Sequence, residues 1–237
     1  MPIDITPLSS ADLPTLGSLD HDGWLHPYNP QLKHFRPALT SREAAIDWWI
    51  AKQTRRLNSP PNPNEFFVKC EDSETGKIMG YAVWVINAGE GEEEVKATWH
   101  PEGSVEREFA ERFINGLWAF LGERVREKHM DLHALVVSPS HRNRGVARAL
   151  LNWGTALADT LGIPTIISSL PSARGAYEKC GFGAIEVIPP NPELDDEEMM
   201  KTSAKWRELR SEDLSGWLMW RGVGRDWREG DEVPWKV

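Results

Sequence analysis

The stretch from Asp131 to Phe182 constrains this chain most. DLHALVV is an apolar, β-branched strand stopped by Ser138-Pro139, and an apolar helical pattern runs from Gly145 to Leu161. PTIISS is a further strand, and SARGAYEKCGF is a short helix closed by Gly181. A strand, a helix and a strand in one sheet require a parallel pair with a right-handed crossover. The helix starts in HRNRGVARALL, where one glycine stands among arginines. A helix start carries unpaired N–H groups and partial positive charge, so it is a ready anion site. Glycine lets the backbone approach a ligand, and arginine adds bidentate phosphate contacts. An ordinary capped helix with a solvated basic edge accounts for the same residues. No Gly-Lys-Ser/Thr is present, against a nucleotide P-loop, and no Gly-x-Gly-x-x-Gly, against a dinucleotide fold.

The remaining pattern mixes strands and helices. Ile3 and Ile5 alternate in a short strand, and SSADLPTLGSLD reads as a short helix capped by Ser9 or Ser10. Residues 21–40 read as loop or irregular helix. TSREAAIDWWIAKQTRRL has Thr40 or Ser41 as cap and an apolar stripe through Ala45, Ile46, Trp49 and Ile50, and LNSPPNPNE ends it. FFVKC and KIMGYAVWVIN form a hairpin around EDSETG. A helix is predicted between Ser104 and Lys128, with Phe109, Phe113, Leu117, Phe120 and Val125 on one face. GAIEVI and GWLMWRGV complete the strands. The whole predicts an α+β chain with one domain over 1–237: an N-terminal strand, helices and loops in 1–65, a core in 66–188, and an acidic loop, last strand and tryptophan-rich tail in 189–237.

Charge and cysteine content narrow the function. A net charge of -9 argues against a nucleic-acid binder. Cys70 and Cys180 alone make neither a disulfide framework nor a metal cluster, so no metal is expected. No apolar run is long enough to span a bilayer, and MPIDITPLSS lacks the basic and apolar regions of a secretory signal. A cytoplasmic protein without a membrane partner is the expectation. The 12 tryptophans call mainly for buried aromatic packing.

Arg-x-x-Gly-x-Ala after a strand and SPS, with AYEKCGF further on, resembles the GCN5-related N-acetyltransferase (GNAT) superfamily. The resemblance implies a central mixed, mostly antiparallel, twisted sheet of six to seven strands flanked by helices, with two strands splayed at an acyl-CoA site. It implies acetyl-CoA as co-substrate, its pyrophosphate held by the amides from Asn143 through Arg144, Gly145, Val146 and Ala147 to Arg148, with Arg142 opening the motif. Leu135, Val136 and Val137 match the strand that meets the pantetheine amides. Tyr177 matches the tyrosine of Tyr-x-x-x-Gly-Phe and becomes the general acid for the departing thiolate, or else packs beneath the coenzyme. Leu170 stands where many members carry a coenzyme-binding Asn; Ser169 and Ser172 lie nearby. Cys180 reads as filler.

LHALVV is similar to the strand of arylalkylamine N-acetyltransferases that carries a His-x-His pair. His133 matches the second histidine, and Asp131 replaces the first. Residues two apart on a strand share a face, so Asp131 orients or extends a proton path through His133, which otherwise is a structural histidine. Trp84 either lines the acceptor pocket or packs in the core. Residues 20–40, the SPPNPN loop and the acidic loop at 189–200 are the expected pocket walls. Asp20, Asp22 and the carboxylates within Glu193–Glu198 either attract a cationic amine or are solvated. The resemblance implies an N-acetyltransferase acting on an unspecified small or peptide amine. A catalytically silent acyl-CoA sensor is the alternative. Members of the family often pair, which raises a homodimer.

Overall fold

The computed structural model describes residues 2–39, 41–89, 94–190, 201 and 203–235. After β1 (Ile3–Pro7), Ser9 opens the first helical segment: its N–H donates to Asp12 Oδ2 at 2.8 Å, and one 3-10 turn leads into α1 (Leu13–Leu25). Pro14 sits in the first turn of α1, where a missing N–H costs nothing. The 21–40 region, read from sequence as loop or irregular helix, extends α1 and then forms α2 (Leu32–Phe35). Ser41 caps α3 (Arg42–Asn58), its Oγ accepting from Ala44 N at 3.1 Å. The hairpin is β2 (Glu65–Asp72) and β3 (Ile78–Asn87). Ser104 Oγ accepts from Arg107 N at 3.2 Å and caps α4 (Val105–Arg124), which stops short of Lys128.

The second half contains β4 (His129–Val137), α5 (Val146–Leu161), β5 (Thr165–Ser169), α6 (Arg174–Glu178) and β6 (Gly183–Ile188). It ends with α7 (Ala204–Leu209) and β7 (Gly216–Arg221). The sequence reading had no counterpart for α7. Among the described residues the strands form one seven-stranded sheet in the order β1-β2-β3-β4-β5-β7-β6. Every pairing is antiparallel except β4 with β5. This is the mixed, mostly antiparallel α+β architecture expected from the sequence.

Register assigns the two faces. Tyr81 and Val83 of β3 and Val136 of β4 meet Leu13, Leu16 and Leu19 of α1 and Trp49 of α3. Their neighbours Ala82, Trp84 and Leu132 point the other way, toward Leu150 and Leu151 of α5. Trp84 is fully buried there, and a Cβ on Gly154 of α5 would overlap its indole. Trp84 is therefore core beneath α5 and not a wall of the acceptor pocket. The tail is packed too: Trp206 stacks edge-on to Phe109 at 5.1 Å, Trp220 meets Trp235 at 5.1 Å, and Trp227 lies against Gly183. No helix among the described residues is long and apolar enough to cross a membrane.

Candidate active site

The parallel pair opens almost as soon as it forms. β4 and β5 are in register only at Met130 with Thr165 and Asp131 with Ile166. Past that point β4 continues to Val137 on β3, while β5 continues to Ser169 on β7. Among the described residues β5 pairs with β4 no further than Asp131, and buried polar backbone beyond that point requires another partner. His133 is exposed in the middle of the sheet for this reason: its side chain is only 24% exposed, so its backbone contributes much of the rest.

A bulge decides which side chains meet at the gap. Val83 pairs with Ala134, but Trp84 pairs with Leu132, leaving His133 as the extra residue of β4. Asp131, His133, Ala134 and Val136 consequently share the α1/α3 side, while Leu135 and Val137 turn toward α5. His133 Nε2 lies 3.2 Å from the buried Asp131 Oδ2, and the imidazole stacks on Trp118 of α4 at 6.0 Å. The structure thus brings together the two residues that the sequence paired. The matched pantetheine strand, Leu135 to Val137, divides between the two faces.

At the start of α5 the backbone turns sharply. Asn143 has φ 60° and Gly145 φ 85°, the left-handed region that glycine enters without strain. No side chain caps the helix, and its first backbone bond is Ala149 N to Gly145 O at 2.9 Å. Among the described residues the N–H groups of Val146, Ala147 and Arg148 have no protein acceptor, as helix starts leave them. Asn143, Arg144, Gly145 and Arg148 are exposed around them, and a Cβ at Gly145 would meet nothing within 4 Å. The chemistry of this donor set suits an anion. Arg142 differs from its neighbours, because its guanidinium donates to the carbonyls of Gly23, at 3.0 Å, and His26 at the end of α1. Its side chain ties α1 to the loop.

Tyr177 of α6 is buried in the α5-side core, its ring edge-on to Phe182 at 6.3 Å. Burial, and then the neighbouring Cys180 thiol, push its phenol well above the ordinary tyrosine range, so it holds its proton at neutral pH. Tyr177 and the His133–Asp131 pair therefore lie on opposite faces of the open sheet. Burial raises the Cys180 thiol as well, against a hydrogen bond from Arg148 that lowers it. Ser169 Oγ donates to Leu170 O at 2.9 Å, and Ser172 Oγ to Asn29 Oδ1 at 3.1 Å.

On the His133 side lies a cavity of about 360 Å³, walled by α1, α2, α3, α4 and the exposed ends of β4, β5 and β7. Its aromatic lining includes Trp24, Trp48, Phe35, Phe67, Phe113 and Trp118. Residues 20–40 contribute to it as the sequence suggested, but the SPPNPN loop does not, since α3 ends with Arg56 and Leu57 in the wall and the chain re-enters at Phe67. Of the loop at 189–200, Pro189 lines the cavity; 191–200, with Glu193–Glu198, lie outside the described residues.

Asp20 is closed to an incoming amine, whereas Asp22 is partly exposed and already paired. Asp20 is buried and accepts from Tyr81 Oη at 2.5 Å, with Arg36 Nη2 at 2.5 Å from its other oxygen. Asp22 pairs with Arg42 at 2.9 Å, which holds its carboxyl below the usual range. Each already faces an arginine, which reduces what these two carboxylates can offer a cationic amine, most of all at the buried Asp20. Sequence reasoning missed Lys52, Tyr81 and Trp118 in this wall, and did not single out Arg36 within 20–40. Trp48 and Lys52, one helical turn apart in WWIAK, carried the only periodic hint.

A model of the family described as Acetyltransferase (GNAT) family matches residues 24–182. Among solved structures, one described as histone acetyltransferase HPA2 and related acetyltransferase, from Corynebacterium glutamicum, is 19% identical with a TM-score of 0.57, covering 94% of this chain and 98% of that one. A mosquito arylalkylamine N-acetyltransferase like 5b is 14% identical with a TM-score of 0.54, over 93% and 99% of the two chains. A GCN5-related N-acetyltransferase from Kribbella flavida is 13% identical with a TM-score of 0.50, over 93% and 98%. These likenesses establish the fold. No curated protein matches the sequence.

Proposed function

The chain belongs to the acetyltransferase (GNAT) family, and from that membership we propose that it moves an acetyl group from acetyl-CoA directly to an amine. The observation that carries the reading is the gap between β4 and β5, with the uncapped start of α5 on one side and the His133–Asp131 pair on the other. The amides of Val146, Ala147 and Arg148 grip the diphosphate, aided by Arg144 and by the left-handed turn at Gly145. Unpaired backbone of β4 along Leu135, Val136 and Val137 receives the pantetheine amides. Arg142 keeps α1 against this loop.

Acetyl-CoA supplies the acyl group as a thioester. An ammonium has no lone pair, so the acceptor must first lose a proton, and His133 takes it while Asp131 fixes the imidazole and balances its charge. The amine nitrogen then bonds to the carbonyl carbon, and the carbon–sulfur bond breaks as the tetrahedral adduct collapses. Tyr177, kept protonated by burial, gives its proton to the departing thiolate. The cavity walls exclude water that would otherwise hydrolyse the thioester.

The test is release of coenzyme A thiol from acetyl-CoA across a panel of amines, with coenzyme A binding measured alongside. Tyr177→Phe and His133→Gln should each lower kcat about 100-fold while coenzyme A still binds. Turnover that both variants preserve would overturn the assignment of these residues. Coenzyme A binding without turnover by the unaltered protein would favour the sensor reading.

A further inference from the structure

The cavity carries charge on two sides. On the β4 side is Asp131, beside His133. On the α3 side are Arg36, Lys52 and Arg56. Arg36 is paired with Asp20 and Arg56 with Glu65. Lys52 has no carboxylate or hydrogen-bond acceptor among the described residues; its ammonium lies 5.2 Å from the Trp48 ring and 5.7 Å from the Trp99 ring. Indole faces attract a cation without neutralising it. Lys52 is an exposed residue at the edge of this wall; partial loss of hydration, then the charges of Arg36 and Arg56, hold its pKa below the ordinary lysine value, with Asp20 opposing them. An unmet acceptor stands in the same wall. Gln31 is 6% exposed; its Nε2 donates to Ser215 O at 3.1 Å, and its Oε1 has no partner among the described residues.

We infer that the acceptor is a small aromatic amine that also bears a carboxylate, which pairs with Lys52 while the amine is presented to His133. The inference rests on the acetyl-transfer reading for the fate of the amine, but recognition of the carboxylate stands on the cavity alone. A volume of about 360 Å³ lies at the small end of ligand cavities, and indole and phenyl walls favour a flat ring. A plain cationic amine would leave Lys52 uncompensated and would add a second positive charge beside Arg36 and Arg56. A carboxylate removes that repulsion and supplies the acceptors that the ammonium lacks. Gln31 Oε1 is then placed to accept from a donor group on the same ligand.

Two probes of one shape separate the carboxylate charge from fit: para-(aminoethyl)benzoate and its carboxamide isostere para-(aminoethyl)benzamide, which keeps the amine and lacks the negative group. Binding is read by quenching of tryptophan fluorescence without acetyl-CoA, and kcat/KM by thiol release with it. The protein should prefer the benzoate about tenfold in both readouts, the weight of one charge-assisted contact. Lys52→Met should bring that ratio close to unity, Lys52→Arg should keep it, and Lys52→Glu should reverse it. Equal binding of the two probes, or a preference that survives Lys52→Met, overturns the inference. If the benzoate binds preferentially yet neither probe is acetylated, the carboxylate site stands and the acetyl-transfer reading fails. If both are acetylated equally, the reverse holds.

Discussion

His34 offers a quantitative test of how α2 is held in the acceptor wall. The residue is 2% exposed, its ring wedged 4.7 Å from Phe109 and 5.3 Å from Phe113, and its Nε2 has no hydrogen-bond partner among the described residues. Burial first, then the charges of Lys33 and His100, lower its pKa to about 3 from an ordinary 6.5. Below pH ~6.5 the unfolded chain therefore binds a proton that the folded one refuses, so stability falls as pH falls through this window and the loss saturates near pH ~3. Each pH unit in the window is worth ~1.4 kcal/mol, which makes the His34 share about 2 kcal/mol between pH ~7.5 and ~5. Over the whole window it reaches ~5 kcal/mol, comparable with the total stability of a small domain. Urea unfolding of the protein and of His34→Phe, at several pH values, isolates this share because other titrating groups are common to both. The unaltered protein should lose about 2 kcal/mol more than the variant on going to pH ~5. Parallel losses would refute the argument, showing that the imidazole charges freely in the folded state.

Two substitutions probe other parts of the frame. Gly154→Val inserts a branched side chain where even a Cβ overlaps the Trp84 indole, so α5 must lift from β3. A loss of about 3 kcal/mol or more in urea unfolding is expected, and a neutral effect would mean the sheet and α5 are further apart than described. Arg142→Met removes the donors to the Gly23 and His26 carbonyls. It should cost about 2 kcal/mol of stability and raise hydrogen exchange at the end of α1. Unchanged exchange there, with coenzyme A affinity lost, would show that the guanidinium serves the ligand instead of the helix.

Local signals made the frame legible in the sequence. Of the cap alternatives read from sequence, Ser9 and Ser41 begin their helical segments; α4 starts just after Ser104, where its pattern was predicted to begin, and buries the apolar stripe from Phe109 to Phe120. The strand–turn–helix at 131–161 was equally plain, because its pattern is set by backbone geometry within one continuous stretch. α7 was not seen: six residues give too little periodicity, and its burial comes from Phe109, far away in the chain. The fate of the charged groups was hidden for the same reason. Asp20 looks available in sequence, but Arg36 and Tyr81 reach it only once α1, α2 and β3 pack together. His133 and Asp131 were paired from a two-residue spacing on a strand; the bulge that adds Ala134 to their face could not be read, since bulges depend on the partner strand. Lys52 became visible only when the carboxylates of its neighbours were accounted for.

The central claim is that open main-chain donors at the start of α5 hold the diphosphate of a coenzyme, and calorimetric titration of coenzyme A into the folded protein addresses it directly. The account predicts saturable binding that inorganic pyrophosphate competes for. It also predicts that Gly145→Val weakens binding more than about tenfold, because a β-branched residue is strained at φ 85° and the turn that presents the amides must change, while circular dichroism reports that the helices and sheet remain. No heat of binding, or a Gly145→Val protein that binds as well as the original, would contradict it.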